Sequence, residues 1–192
     1  MLHLLLIRHG ATPWNEARLL QGRADPGLSK RGRAEVQAWR LPPGWRDASW
    51  FASPLRRARE TAELLSEGPI AVDPRLIEMD WGAFERRRLA DLRADDPLGL
   101  AENEARGLDF RPPGGESPRE VAARLQEFIA TLGGPAVAVT HKGVIRAALA
   151  LATGWDMRRL PPVRPRRDQA LHLMRDEAGR LALAGPPVSR VE

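Results

Sequence analysis

Apolar residues gather in short, nearly unbroken runs separated by stretches of helical spacing. Residues 2–7 (LHLLLI) are interrupted only by His3, residues 49–52 read SWFA, and residues 135–140 read PAVAVT. Such runs fit strands buried on both faces of a sheet, although the pattern alone also fits a helix segment. Between them, residues 55–66 place Ala58, Ala62 and Leu65 at i, i+4 and i+7, which gives a helix with one buried face. Residues 70–72 suggest a third short strand, and residues 170–174 and 180–183 two terminal ones.

Turn and cap residues divide these runs. Ser29 reads as the N-cap of a helix reaching about Trp39, with Lys30 and Arg31 unfavourable in its first turn. Ser53 and Pro54 read as cap and first-turn residue of the next helix. Residues 11–28 form a loop punctuated by Gly22, Pro26 and Gly27, and residues 41–47 a Pro/Gly connector. Residues 75–84 are irregular, and residues 86–105 are helical in composition but broken at Pro97 and Gly99. Two short helices are expected there, within a lid over about residues 84–116. After a Pro/Gly loop at 107–117, Ser117-Pro118 with Glu120 starts a helix running to about Leu132, and residues 143–153 form another. A Pro/Arg loop, 161–167, precedes the terminal strands. This alternation predicts an α/β fold, a three-layer α/β/α sandwich whose mostly parallel sheet carries helices on both faces. One domain spanning 1–192 is expected.

Composition narrows the function. With 43% hydrophobic and 29% charged residues the chain is globular in type, and no apolar run approaches the ~20 residues that span a bilayer. Residues 2–7 lack a basic leader and a small-residue cleavage site, so a cytoplasmic location is expected and no membrane partner. Without cysteine there is no disulfide, thiolate nucleophile or cysteine-ligated metal. The four histidines, His3, His9, His141 and His172, are too scattered to suggest a metal site. The net charge of +5 is almost wholly arginine, Lys30 and Lys142 being the only lysines. A basic balance favours anionic partners, but no aromatic-interleaved basic stretch points to nucleic acid.

The chemistry sits where the apolar runs stop. Residues 2–7 end at Arg8-His9-Gly10, and residues 135–140 end at His141, with Gly143 two positions on. In a parallel sheet both strand ends lie on one edge, where α/β folds bind ligands. An arginine offers a planar fork of donors matched to phosphate, and a neutral histidine can attack phosphorus.

The sequence Arg8-His9-Gly10-Ala11-Thr12-Pro13-Trp14-Asn15-Glu16 resembles the opening signature of the histidine phosphatase superfamily, in its phosphoglycerate mutase-like branch 1. Further segments match in order. Gln21-Gly22 with Asp25, Leu28-Ser29 and Gly32 resembles the family's loop into its first helix. Ser53-Pro54-Leu55-Arg56-Arg57-Ala58 with Thr61 resembles its second arginine motif. Leu76-Ile77-Glu78 with Gly82 resembles its acidic motif, and Pro113-Gly114-Gly115-Glu116-Ser117 the segment before its long helix. Thr140-His141-Lys142-Gly143-Val144-Ile145-Arg146 resembles its second histidine motif.

The resemblance implies that His9 is the nucleophile, and that Arg8, Arg57 and His141 clamp the phosphoryl oxygens. It implies further that Asn15, Gln21, Gly22 and Lys142 line the phosphate site and that Glu78 is the proton donor. No metal or cofactor is expected, because the arginines and histidine supply the positive charge. The chain departs from the pattern at Ala11, where an acidic residue is usual, and at Arg86 and Lys142, where glycine is usual. A different loop after Glu78 is therefore expected, and Lys142 adds a cation that suits a second anionic group on the substrate.

The short stretch between Gly82 and Pro113 favours hydrolysis of small phosphorylated metabolites. The alternatives are a cofactor-dependent phosphoglycerate mutase, an α-ribazole phosphate phosphatase, and a phosphoester-binding protein without activity. The partner expected is a small-molecule phosphoester, and family members often form homodimers.

Overall fold

The computed structural model describes residues 1–45 and 47–189. Arg46, within the expected connector, lies outside the described residues. Seven strands form one sheet: β1 (Leu2–Arg8), β2 (Ser49–Ala52), β3 (Ile70–Val72), β4 (Ala136–Thr140), β5 (Gln169–Arg175), β6 (Leu181–Leu183) and β7 (Val188–Ser189). Their order is β3-β2-β4-β1-β5-β6, with β7 also pairing β5. Strands β1 to β4 run parallel, while β5, beside β1, and its partners β6 and β7 pair antiparallel. The parallel part carries the site; the antiparallel part closes one side of the sheet.

Helices cover both faces. Alternation along β1 sends Leu2, Leu4 and Leu6 to one face, where α6 (Pro118–Ala130) and α7 (Lys142–Thr153) pack through Val121, Leu125, Phe128, Val144 and Ala148. Leu5 and Ile7 point to the other face and meet Ala58 and Ala62 of α3 (Arg56–Leu65), together with Trp45 and Trp50. The i, i+4 alanines read from the sequence are thus that helix's buried stripe. Against α3 lies α2 (Lys30–Gln37), capped by Ser29, whose hydroxyl accepts from the Gly32 N–H at 3.0 Å. No helix among the described residues is long and apolar enough to cross a membrane.

Two elements escaped the sequence. Pro13–Glu16 forms a single helical turn, α1, inside the expected loop, closed by a reciprocal capping box between Thr12 and Asn15. The strand β7 is too short to leave a pattern. The segment after Phe84 does form two short helices, α4 (Leu89–Asp95) and α5 (Pro97–Glu104), separated at Asp96.

One cap moves. Ser53 does not cap α3; Leu55 occupies the N-cap without a side-chain bond. The Ser53 hydroxyl accepts from the Leu55 N–H at 3.3 Å and is otherwise turned toward His141.

Candidate active site

The carboxyl ends of β1, β4 and β2 lie side by side, and backbone hydrogen bonds carry the ladder one residue past each. The His9 N–H donates to the Thr140 carbonyl and the Ser53 N–H to the Val139 carbonyl, both at 3.0 Å. Arg8 pairs in register with Thr140, so the next residues, His9 and His141, emerge together. Their ring centroids are 5.2 Å apart. Both rings are buried.

His9 donates through Nδ1–H to the Gly10 carbonyl at 2.7 Å, which leaves Nε2 as the basic nitrogen. Burial, followed by the nearby charges of Arg57 and Arg8, pushes its pKa well below the usual histidine value. It is neutral at pH 7. The same causes, burial first and then Arg57, keep His141 neutral. His141 meets the Ser53 hydroxyl through Nε2 at 2.7 Å, and its buried Nδ1 has no protein partner.

Arg57 is fully buried on the first turn of α3. Its two terminal nitrogens each donate to a loop carbonyl, Nη1 to Ala24 at 2.7 Å and Nη2 to Gly22 at 2.8 Å. Its Nε is buried without a partner. Burial lowers its pKa, opposed by Glu78, Asp25 and Glu85. Arg8 is lowered to about 10 by burial and by Arg167, so its guanidinium stays charged at pH 7.

Asn15 and Gln21 have their acceptor ends engaged. The Asn15 Oδ1 accepts from the Thr12 N–H at 3.2 Å and the Gln21 Oε1 from the Thr12 hydroxyl at 3.0 Å. Among the described residues their NH₂ groups have no hydrogen-bond acceptor, so both amides keep donors in reserve.

Gly22 holds φ +51°, and a Cβ there would lie 1.9 Å from the Glu85 carboxylate. That carboxylate accepts from the N–H groups of Arg23 and Ala24, at 2.6 and 3.2 Å. Glu85 and Arg57 therefore grip the same turn from opposite sides. No motif marks Glu85, because its partners are backbone atoms.

Gly10 is needed for packing. Its missing Cβ admits Val36 of α2, whose Cγ2 would lie 2.5 Å from it, and its N–H donates to the Thr61 hydroxyl at 2.9 Å.

Glu78 follows a 3-10 turn, Pro74–Leu76, which the Thr140 hydroxyl ties to the end of β4 through the Leu76 carbonyl at 2.7 Å. The carboxylate accepts from the Met79 N–H at 2.8 Å and the Gly143 N–H at 3.1 Å. Burial raises its pKa, opposed by the Met79 N–H, Arg57 and the Gly143 N–H. The Pro113–Ser117 segment packs behind it: a Cβ on Gly82 would lie 2.2 Å from the Pro113 carbonyl, and the Glu116 N–H donates to the Asp80 carbonyl at 2.9 Å.

Two departures find their place. Arg86 adopts φ +65°, a left-handed backbone that favours glycine, and its guanidinium lies 5.9 Å from the Trp14 ring centre. Lys142 is exposed on the first turn of α7, where partial burial and then Arg8 and Arg146 lower its pKa. A further cation had not been anticipated. Arg167, on the loop before β5, donates through Nη1 to the His9 carbonyl at 3.0 Å. It comes from 158 positions away, in a Pro/Arg stretch without a motif.

A family model described as the histidine phosphatase superfamily (branch 1) matches residues 4–183. GpmB of Erwinia tasmaniensis, assigned as a phosphoglycerate mutase, is 37% identical over 138 residues, covering 67% of this chain and 62% of its own. The matched segment spans about three fifths of the length of the curated relatives that head the comparison. Among solved structures, mycobacterial glucosyl-3-phosphoglycerate phosphatase shares 29% identity at a TM-score of 0.81, covering 98% of this chain and 100% of that one. An Escherichia coli K-12 protein assigned as an α-ribazole-5′-P phosphatase shares 27% identity at a TM-score of 0.81, covering 99% of this chain and 97% of that one.

Proposed function

The chain belongs to branch 1 of the histidine phosphatase superfamily, and on that premise we propose that it hydrolyses small phosphomonoesters through a phosphohistidine on His9, without a metal. One observation carries the reading. The buried rings of His9 and His141 lie 5.2 Å apart, His9 with a basic Nε2 and His141 with an Nδ1 that has no partner among the described residues, and both feel the charge of buried Arg57, whose Nε is likewise unpartnered. An environment of donors with few acceptors suits a phosphoryl group, whose transition-state charge spreads over its equatorial oxygens.

The reaction proceeds in two displacements. Nε2 of His9 attacks phosphorus as the ester P–O bond breaks, and Glu78, whose pKa burial raises, gives its proton to the leaving alkoxide. Water then attacks the phosphohistidine and yields its proton to Glu78, releasing phosphate and neutral His9. Arg8, Arg57, Asn15 and Gln21 hold the phosphoryl oxygens. Ser53 donates to Nε2 of His141, which turns the Nδ1–H of His141 toward an oxygen. Residues 84–116 act as a short lid that leaves water room to reach the phosphohistidine.

Likeness to GpmB favours a second reading, transfer of the phosphoryl group to another acceptor. The likenesses to the mycobacterial and Escherichia coli phosphatases support hydrolysis. The test is release of p-nitrophenol from p-nitrophenyl phosphate in excess EDTA, comparing the protein with His9→Ala. Release abolished by the substitution supports the hydrolase. EDTA-sensitive release, or release that survives His9→Ala, overturns it.

A further inference from the structure

One peptide unit in the turn after β1 is held at both of its polar ends. Its carbonyl, that of His9, accepts from Arg167 Nη1 at 3.0 Å. Its N–H, that of Gly10, donates to the Thr61 hydroxyl at 2.9 Å, and this hydroxyl donates in turn to the Arg57 carbonyl at 2.7 Å. The next carbonyl along the chain, that of Gly10, accepts from His9 Nδ1 at 2.7 Å. The held unit therefore sets where the acceptor for the His9 ring lies.

That acceptor decides what the ring can do. A neutral imidazole carries one proton, and the hydrogen bond of one nitrogen fixes which nitrogen stays basic. With the proton on Nδ1, Nε2 has its lone pair for attack; with the proton on Nε2, it has none.

Arg167 reaches this turn from the antiparallel side of the sheet. Ile7 pairs with Ala170, so the residues before β5 run past the end of β1. A second cation there is unfavourable: after burial, Arg167 is the largest cause that lowers the Arg8 pKa. The charge-assisted bond to the His9 carbonyl opposes that repulsion. A cavity of about 560 Å³ opens on Arg167, lined also by Ala11, Asn15, Glu35 and Trp39, so a small ion can reach the place of its side chain.

We propose that Arg167 is a positioning residue for the nucleophile: by holding the His9 carbonyl it keeps the Gly10 carbonyl aimed at Nδ1, and so keeps the proton off Nε2. The inference rests on the reading of His9 as the nucleophile and gives the antiparallel side of the sheet a part in the chemistry.

The test compares Arg167→Ala with the parent by two readouts. The first needs no turnover. Heteronuclear NMR of isotope-labelled histidine at neutral pH, with His9 assigned by its loss in His9→Ala, reports which ring nitrogen carries the proton. The parent should show Nδ1–H alone, and Arg167→Ala a population of the Nε2–H tautomer, with the His3 and His172 signals unmoved. The second readout is p-nitrophenyl phosphate hydrolysis. There kcat should fall on the order of 10- to 100-fold while KM stays near the parent value, because Arg8 and Arg57 still hold the phosphoryl group. Guanidinium, at concentrations far below those that unfold the protein, should restore part of kcat in Arg167→Ala and none in the parent.

An unchanged His9 tautomer in Arg167→Ala overturns the proposal, whatever happens to kcat. A raised KM with kcat preserved also overturns it, since that marks a direct phosphate contact. The same changes in Arg166→Ala, whose arginine is paired with Asp168, would show a general loosening of the loop and overturn it too. Where Arg167→Ala does not fold, Arg167→Met carries both readouts. If the parent hydrolyses nothing, the phosphatase reading fails, and the tautomer alone decides the role of Arg167.

Discussion

The Glu78 carboxylate accepts a hydrogen bond from the Gly143 N–H at 3.1 Å, so the proposed proton donor is held by the helix that His141 caps. His9, His141 and Glu78 are thereby linked through one backbone unit: β1 beside β4, and β4 leading into α7. Any change at the start of α7 reaches the acid before it reaches His9.

Gly143→Ala tests that link. A Cβ at this position would lie 2.3 Å from the Glu78 Oε1 and 3.2 Å from the Met79 Cβ, so the carboxylate must move. Alkyl phosphates need the acid because their alkoxides leave poorly, whereas p-nitrophenolate departs without a proton. The substitution is expected to lower kcat/KM for an alkyl phosphate by about 10²-fold and to affect p-nitrophenyl phosphate far less. Glu78→Gln should show the same split. Equal losses on both substrates would rule out Glu78 as the acid.

The pH dependence follows from the two shifts. Glu78 acts protonated, and burial moves its pKa upward, so alkyl phosphate hydrolysis should fall with rising pH along a limb above the ordinary carboxylate range. For p-nitrophenyl phosphate that limb should be missing. His9 is neutral far below its usual pKa, so the nucleophile contributes no limb near pH 6.5. Profiles of kcat/KM, corrected for the substrate's own ionisation near pH ~6, check both points. A limb common to both substrates and retained in Glu78→Gln would contradict the assignment.

Arg86 predicts a stability effect of the less usual sign. At φ +65° an L side chain costs about 1–2 kcal/mol, part of which the contact with Trp14 offsets. Arg86→Ala keeps the strained backbone and loses the contact; Arg86→Gly loses the contact and relieves the strain. Urea unfolding should therefore find the glycine variant more stable than the alanine variant by about 1 kcal/mol. The reverse order would mean that residue 86 is not left-handed in solution.

The parts legible in sequence were those whose cause is local or repeats along the chain. Buried strands announce themselves by apolar runs, and two such runs ending in histidine sufficed to bring His9 and His141 together. The capping box at Ser117 and the alanine stripe of α3 rest on the same short-range logic. Tertiary partners left no such mark. Ser53 has the residue type of a cap and sits before a helix, yet its hydroxyl serves His141 across the strand ends. Gly10 must lack a Cβ because Val36, from a helix that follows it by some twenty residues, packs into that space. Glu85 and Arg167 act on backbone carbonyls and N–H groups, which carry no residue identity and so no motif.

Away from the site, His3 and His172 predict how stability responds to acid. Nδ1 of His3 and Nε2 of His172 are 3.1 Å apart on neighbouring strands, with Trp45 edge-on to the His172 ring. One proton shared between two neutral rings satisfies this contact; a second proton opposes it. Burial, and then His3, lower the His172 pKa below 6.5. Below pH ~6.5 the unfolded chain therefore takes up a proton at this position more readily than the folded one. The stability contributed by neutral His172 is full above pH ~6.5 and is lost as pH falls through the lower folded value. Buried His9 and His141, shifted in the same direction, act likewise. The test is therefore a difference: urea midpoints between pH 7.5 and 5 should fall less steeply for His172→Gln than for the parent. Parallel curves would show that the pair titrates as it does in the unfolded chain.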